Sequence, residues 1–172
     1  AAYMYSKGHS FFTYRSDTVD SLSSCCRLKN MIVDNTFSFT LGAGGVATGS
    51  KGVITTNINR IVQNVVRDKK DIETVIREET RKNHKYLLAF NEIIKEHFNS
   101  KMLSIYDAGF IELSKQYLTQ GINGFVEGAE FLGIEISPND EYFKYGESIL
   151  RPIYEENKAA KTDDIMFNTE FV

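Results

Sequence analysis

Two adjacent cysteines, Cys25 and Cys26, followed at once by Arg27, are the residues best suited to chemistry. Neighbouring cysteines can form a disulfide only in a strained ring, so they are poor candidates for a structural crosslink. The positive neighbour favours the thiolate, but no His–Asp partner set for ordinary nucleophilic catalysis accompanies the pair. A cysteine without a base suggests one-electron chemistry, in which the sulfur gives up a hydrogen atom. The alternative is that both are small buried hydrophobes.

A glycine-rich stretch, residues 42–52, holds five glycines in eleven residues. The sequence GGVATGSK within it resembles a phosphate loop, but it ends in Gly-Ser-Lys instead of Gly-Lys-Ser. In addition, a strand is expected where that loop needs a helix. We therefore reject a nucleotide-hydrolysing loop. A flexible hairpin beside a site and an ordinary surface turn both fit the glycines.

Charge and composition exclude several classes of function. The 172 residues carry 20 Lys+Arg and 23 Asp+Glu, a net charge of −3, which provides no field to hold a nucleic acid. His9, His84 and His97 have no second ligand at a useful spacing, so no metal site is predicted. No stretch of 18 apolar residues and no secretory signal occur, so we expect neither a membrane span nor export, and place the protein in the cytoplasm.

Hydrophobic spacing predicts alternating strands and helices in one compact unit, residues 1–172. The clearest element is a long amphipathic helix over residues 71–98, and Pro152 is expected to kink or restart the last helix. The other predicted elements are a strand at 8–14, a helical turn at 18–22 that breaks before the cysteines, a strand at 53–62 turning into a helix, a strand at 117–122, a helix at 124–132 ended by Gly133, and a helix from Asn139 or Asp140 to about 158.

This alternation favours an α/β fold with parallel strands, whose active groups usually lie at the carboxyl ends of the strands or on the loops that follow. The first residue is not Met, and residues 165–172 form an apolar run that stops without a turn. We therefore expect the sequence to be part of a longer protein.

Four stretches in order resemble the anaerobic, glycyl-radical (class III) ribonucleoside-triphosphate reductases. They are residues 17–28 (DTVDSLSSCCRL), residues 48–50 with the strand text 53–61 (VITTNINRI), residues 116–133 (QYLTQGINGFVEGAEFLG) and residues 167–172 (FNTEFV). Together they extend across nearly the whole chain.

The resemblance implies part of a ten-stranded α/β barrel, with a central finger loop at about residues 16–30 carrying the cysteines. In this family the cysteine before an arginine becomes a thiyl radical, so Cys26 is the first choice and Cys25 the second. The radical would take the 3′ hydrogen of a ribonucleoside triphosphate. Ser50, Asn57, Asn123 and Gly124 are similar to substrate-pocket positions of the family. Their alternative reading is turn and cap formation.

The resemblance also implies cofactors and partners. A glycyl radical, a zinc site and ATP or dNTP effectors are expected only outside this chain, which lacks their motifs, and formate is the expected reductant. The expected partners are the rest of the catalytic subunit, a radical-SAM activating enzyme and a second copy of the subunit. Two other functions stay open: a radical enzyme resembling pyruvate formate-lyase, and a non-catalytic nucleotide-binding fragment.

Overall fold

The structure is a computed structural model that describes residues 21–23, 29–31, 49–109 and 111–172. Its strands are β1 (Ser21–Ser23), β2 (Lys29–Met31), β3 (Gly49–Asn57), β4 (Gln116–Asn123) and β5 (Met166–Phe171). Its helices are α1 (Ile58–Asp68), α2 (Ile72–Asn99), α3 (Ser104–Asp107), α4 (Phe125–Phe131) and α5 (Asp140–Ala160), with a 3-10 turn at Leu113–Lys115.

The main sheet has the order β3-β4-β5, and both pairs of strands are parallel. Each connection between neighbouring strands contains helices, as parallel strands require. The α/β class with a parallel sheet is therefore confirmed. Strands β1 and β2 form a separate antiparallel pair in which Ser23 lies opposite Lys29.

Side-chain capping explains where the long helices begin. The Asp71 carboxylate accepts a hydrogen bond from the Thr74 amide at 2.8 Å before α2, and the Asn139 side chain accepts one from the Tyr142 amide at 2.8 Å before α5. The helix predicted at 71–98 is observed as Ile72–Asn99. Gly133, with φ of 74°, follows α4 as predicted.

Two expectations about the elements were wrong. The strand expected at 53–62 ends at Asn57, because Asn57 caps a helix that takes up the β-branched residues after it. Residues 21–22 are in a strand and not in a helical turn, since they pair with β2. Helix α5 runs from Asp140 to Ala160 without a restart at Pro152, which is buried, and a kink at this residue stays a prediction.

The hydrophobic core lies where helices α1, α2, α4 and α5 meet the carboxyl end of β4. It consists of Ile58, Ile61, Val62, Ile76, Ile122, Ala129, Tyr145, Ile149 and Ile153. Helices α2 and α5 also form ion pairs with each other: Arg81 donates two hydrogen bonds of 2.8 Å to Glu156. Within the described residues, no helix is both long and apolar enough to cross a membrane.

Candidate functional site at the carboxyl ends of the strands

A cavity of about 500 Å³ lies where β3 and β4 end, and its lining includes Asn57, Asn123 and Gly124. The parallel register places Asn57 directly beside Asn123, which explains why residues so far apart in sequence share one cavity. The volume falls in the range of small-molecule sites, about 300–1,000 Å³. Three of the residues selected from the sequence are thus brought together at the sheet edge where α/β proteins bind ligands.

Asn57 is the last residue of β3, and it also starts α1. Its Oδ1 atom accepts a hydrogen bond of 2.9 Å from the Arg60 amide. One acceptor is therefore committed to capping, while the exposed side chain leaves its amide nitrogen available to the cavity. The capping alternative considered for Asn57 is thus observed.

Gly124 makes the turn between β4 and α4 possible. Its φ of +66° is a conformation that residues with a side chain rarely adopt. A Cβ atom there would lie 3.0 Å from Asn59 Cβ and 3.1 Å from Asn57 Oδ1. The hydroxyl of Tyr145 supports the same turn from the core by donating a hydrogen bond of 2.7 Å to the carbonyl oxygen of Phe125.

The sheet has a polar face on the side away from α2. Side chains alternate along a strand, and Thr56 and Thr169 point toward the helices, so Thr55, Asn57, Asn168 and Glu170 point to the other face. Gly121 on β4 lies between them, and a Cβ there would come within 2.6 Å of the Thr55 hydroxyl oxygen. The absence of a side chain at Gly121 therefore lets the Thr55 hydroxyl lie close to the backbone of β4, with Val172 on the other side.

Glu170 is one of the residues on this face that were not selected from the sequence. Its Oε1 atom is buried and has no hydrogen-bond partner among the described residues. Buried carboxylate oxygens are usually satisfied, so this unpaired one is a group available for a ligand. Glu170 itself does not line the carboxyl-end cavity, but the next residue, Phe171, does. The sequence carries no alternating signal here, because Asn168, Thr169 and Glu170 are three polar residues in a row.

Ser50 lies at the other end of the sheet. It is separated from Asn57 by seven residues of one strand, or roughly 20 Å. Its hydroxyl accepts a hydrogen bond of 2.7 Å from Thr119 and donates one of 3.2 Å to the carbonyl oxygen of Gly52. The structure does not place Ser50 with Asn57, Asn123 and Gly124, and its contact with substrate stays a prediction.

Cys25 and Cys26 lie outside the described residues. In sequence they stand between β1 and β2, whose antiparallel pairing brings Ser23 opposite Lys29. The role of either cysteine stays a prediction.

A second cavity, of about 380 Å³, lies at the amino end of the sheet and is lined by Lys51 and Lys95 among others. The Lys51 ammonium donates a hydrogen bond of 3.2 Å to the Leu113 carbonyl. Burial lowers the pKa of Lys51, and the positive charge of Lys95 lowers it further. None of the residues selected from the sequence lines this cavity.

The two described histidines, His84 and His97, lie on helix α2. His84 is buried, and its Nε2 atom lies 2.7 Å from Asn157 Oδ1. Burial lowers the pKa of His84, which favours the neutral ring. His97 lies in the last turn of α2, where a positive charge suits the helix dipole. Within the ranges that the structure describes, no three His, Cys, Asp or Glu side chains are grouped as metal ligands.

Comparisons with known proteins agree on one family. The family model for anaerobic ribonucleoside-triphosphate reductase matches residues 1–172. A solved anaerobic ribonucleotide reductase is 30% identical, with a TM-score of 0.66 over 72% of this chain and 21% of its own. The Thermotoga maritima enzyme with citrate in its active site is 30% identical, with a TM-score of 0.66 over 75% of this chain and 25% of its own.

The Thermotoga maritima enzyme in complex with dATP and CTP is also 30% identical, with a TM-score of 0.65 over 72% of this chain and 22% of its own. The chain therefore spans about a quarter or less of the length of these solved structures. The search of curated proteins gave no match.

Proposed function

Because the chain belongs to the anaerobic ribonucleoside-triphosphate reductase family, we propose that it forms part of a catalytic subunit that reduces ribonucleoside triphosphates to deoxyribonucleoside triphosphates. The observation that carries the proposal is the match of the family model over residues 1–172. The three-stranded parallel sheet with its carboxyl-end cavity is consistent with one segment of a ten-stranded α/β barrel, which we propose as the complete fold.

The substrate in this proposal binds across the carboxyl ends of β3 and β4. Asn57 and Asn123 offer amide groups that can both donate and accept hydrogen bonds, which suits ribose hydroxyls and phosphate oxygens alike. Gly124 lets the backbone turn tightly beside them. Glu170, on the neighbouring strand, adds a carboxylate that can accept a hydrogen bond from a hydroxyl.

The chemistry begins at Cys26 in the finger loop, with Cys25 as the alternative. The sulfur, as a thiyl radical, removes the hydrogen atom from the ribose 3′ carbon, so an S–H bond forms and a C–H bond breaks. The 2′ hydroxyl then leaves as water after it gains a proton. Two reducing equivalents and the return of a hydrogen atom to the 3′ carbon complete the reduction. A glycyl radical outside this chain supplies the oxidising equivalent that starts the sequence.

The remaining elements of the proposal rest on the family alone. Formate is the proposed reductant, and ATP or dNTP effectors and a zinc site are assigned to the rest of the subunit. A radical-SAM activating enzyme and a second copy of the subunit are the proposed protein partners, in the cytoplasm.

The test uses the whole catalytic subunit, activated without oxygen, and measures deoxyribonucleotide formed from each ribonucleoside triphosphate. Cys26→Ala should abolish product, because no other sulfur would be placed to take the hydrogen atom. Cys25→Ala is the matched control and should retain turnover. Loss of activity only in Cys25→Ala would assign the thiyl radical to Cys25. If both variants reduce nucleotides as the wild type does, the proposed mechanism is wrong.

A further inference from the structure

Two consecutive residues of α2, Asn83 and His84, make buried polar contacts toward the two outer strands of the sheet. Both are nearly inaccessible to solvent, at 7% and 6% exposed. Asparagine and histidine are costly to bury unless their polar atoms find partners. Leucine or isoleucine at the same positions would fill the space without that requirement, so the polar side chains point to a need for specific contacts.

Asn83 contacts β3. Its Nδ2 atom donates a hydrogen bond of 2.8 Å to the hydroxyl of Thr56, and the contact is buried. Thr56 directly precedes Asn57, whose side chain lines the carboxyl-end cavity. Because successive side chains of a strand point to opposite faces, fixing Thr56 against the helix directs Asn57 toward the polar face.

His84 contacts β5 through one intermediate residue. The Nε2 atom of His84 lies 2.7 Å from Asn157 Oδ1 on α5, and Asn157 Nδ2 donates a hydrogen bond of 2.9 Å to the Thr169 hydroxyl. The Asn157 oxygen therefore accepts, and the histidine carries its hydrogen on Nε2. Thr169 directly precedes Glu170, so this contact repeats on β5 the relation that Asn83 has to β3.

The central strand provides a natural comparison. Gln120 of β4 donates a buried hydrogen bond of 3.3 Å to Thr80 of α2, one turn before the residues above. The residue after Gln120 is Gly121, which has no side chain to direct. All three strands are thus linked to α2 by hydrogen bonds. Only on the two outer strands does the next residue in sequence have a side chain on the polar face.

We propose that Asn83 and His84 are positioning residues that set the directions of Asn57 and Glu170 through Thr56 and Thr169. The inference rests on the proposed function, because it takes the carboxyl-end cavity as the substrate site. Both contacts lie on the helix-covered face of the sheet, opposite the polar face on which substrate is proposed to bind. A displacement of about 1 Å at a reacting group can cost roughly 100-fold in rate, so small losses of strand position are enough to matter.

The test makes the same chemical change at all three contacts in the whole activated subunit. Thr56→Val and Thr169→Val each remove an acceptor hydroxyl on the residue before Asn57 or Glu170. Thr80→Val removes the hydroxyl of α2 that accepts the hydrogen bond from Gln120, the residue before Gly121. All three should lower thermal stability to a comparable extent. Only Thr56→Val and Thr169→Val should change steady-state kinetics, lowering kcat/KM about 10- to 100-fold. Thr56→Ser and Thr169→Ser keep the hydroxyl and should recover most of the activity.

The outcomes separate this inference from the proposed function. If the wild-type subunit reduces no ribonucleotide, the proposed function is wrong. If it does so and all three valine variants keep wild-type kcat and KM, or all three lose them equally, the positioning role is overturned. If a valine variant does not fold, the serine variant at the same position is measured in its place. A folded serine variant that does not recover kcat/KM contradicts the role of the hydroxyl.

Discussion

Gly128 and Tyr145 provide a quantitative test of how the core holds the turn beside the cavity. A Cβ atom added at Gly128 would lie 2.5 Å from the Tyr145 hydroxyl oxygen and 3.3 Å from Val62 Cγ2. Ordinary C···O contacts are about 3.3 Å or longer, so the hydroxyl must move by about 0.8 Å. That movement disrupts its 2.7 Å hydrogen bond to the carbonyl of Phe125, the residue after Gly124.

The expected cost of Gly128→Ala follows from three contributions. Overpacking costs about 1–3 kcal/mol, and the lost hydrogen bond about 1 kcal/mol. Replacing glycine by alanine within a helix offsets about 1 kcal/mol. The net destabilisation is therefore about 2 kcal/mol. Tyr145→Phe alone should cost about 1 kcal/mol, because the Phe125 carbonyl loses its donor.

The decisive quantity is the coupling between the two substitutions. Once Tyr145→Phe has removed the oxygen, Gly128→Ala should be close to neutral, so the pair should be less destabilising than the sum by at least about 1 kcal/mol. Unfolding of the four proteins in urea measures this coupling, and amide hydrogen exchange over residues 124–128 shows whether the turn loosens. Gly146→Ala is the control, since its Cβ would meet only Phe125 Cζ, at 3.5 Å. Effects that add within about 0.5 kcal/mol would refute the reasoning.

Three further predictions concern the turn, the buried histidine and the ion pairs. Gly124→Ala should destabilise the β4–α4 turn by about 2 kcal/mol, because φ of +66° strains alanine, and hydrogen exchange at 124–126 should increase; unchanged exchange would contradict this. Because burial lowers the pKa of His84, its contribution to stability is constant above the ordinary value of about 6.5 and declines as pH falls from there toward the lowered folded pKa. Thermal unfolding of wild type and His84→Gln should therefore differ in slope below pH 6.5, and parallel curves would oppose the prediction. Arg81, which hydrogen-bonds to Glu156, lowers the pKa of that carboxyl. Glu156→Gln should therefore lower the free energy of unfolding by about 1 kcal/mol at pH 7, and by little once the pH has fallen through the folded pKa of Glu156. A loss of stability that does not depend on pH would argue against the ion pair.

The sequence predicted much of the fold because local signals and tertiary packing agreed there. The spacing of apolar residues predicted the long helix, and Asn139 and Gly133 marked a helix start and end that the structure confirms. The end of β3 was missed because residues 58–62 are rich in β-branched side chains. Their propensity for strands is outweighed by the Asn57 cap and by burial of Ile58, Ile61 and Val62 in the core.

The candidate site was only partly predicted from the sequence. Asn57, Asn123 and Gly124 were selected because they resemble pocket positions of the reductase family, and the register of β3 and β4 places them at one edge of the sheet. Glu170 and its buried oxygen became apparent only from the register between β4 and β5, because sequence does not show which face of a strand is covered. The contacts of Asn83 and His84 depend on distances between helices and strands, which no local pattern encodes.

In the proposed mechanism, a sulfur in this chain removes the hydrogen atom from the ribose 3′ carbon. The most direct measurement is turnover of a ribonucleoside triphosphate deuterated at that carbon by the whole activated subunit. We predict slower reduction than with the undeuterated substrate, and no product from the Cys26→Ala variant with either substrate. Equal rates for the two substrates, together with an active Cys26→Ala variant, would contradict it.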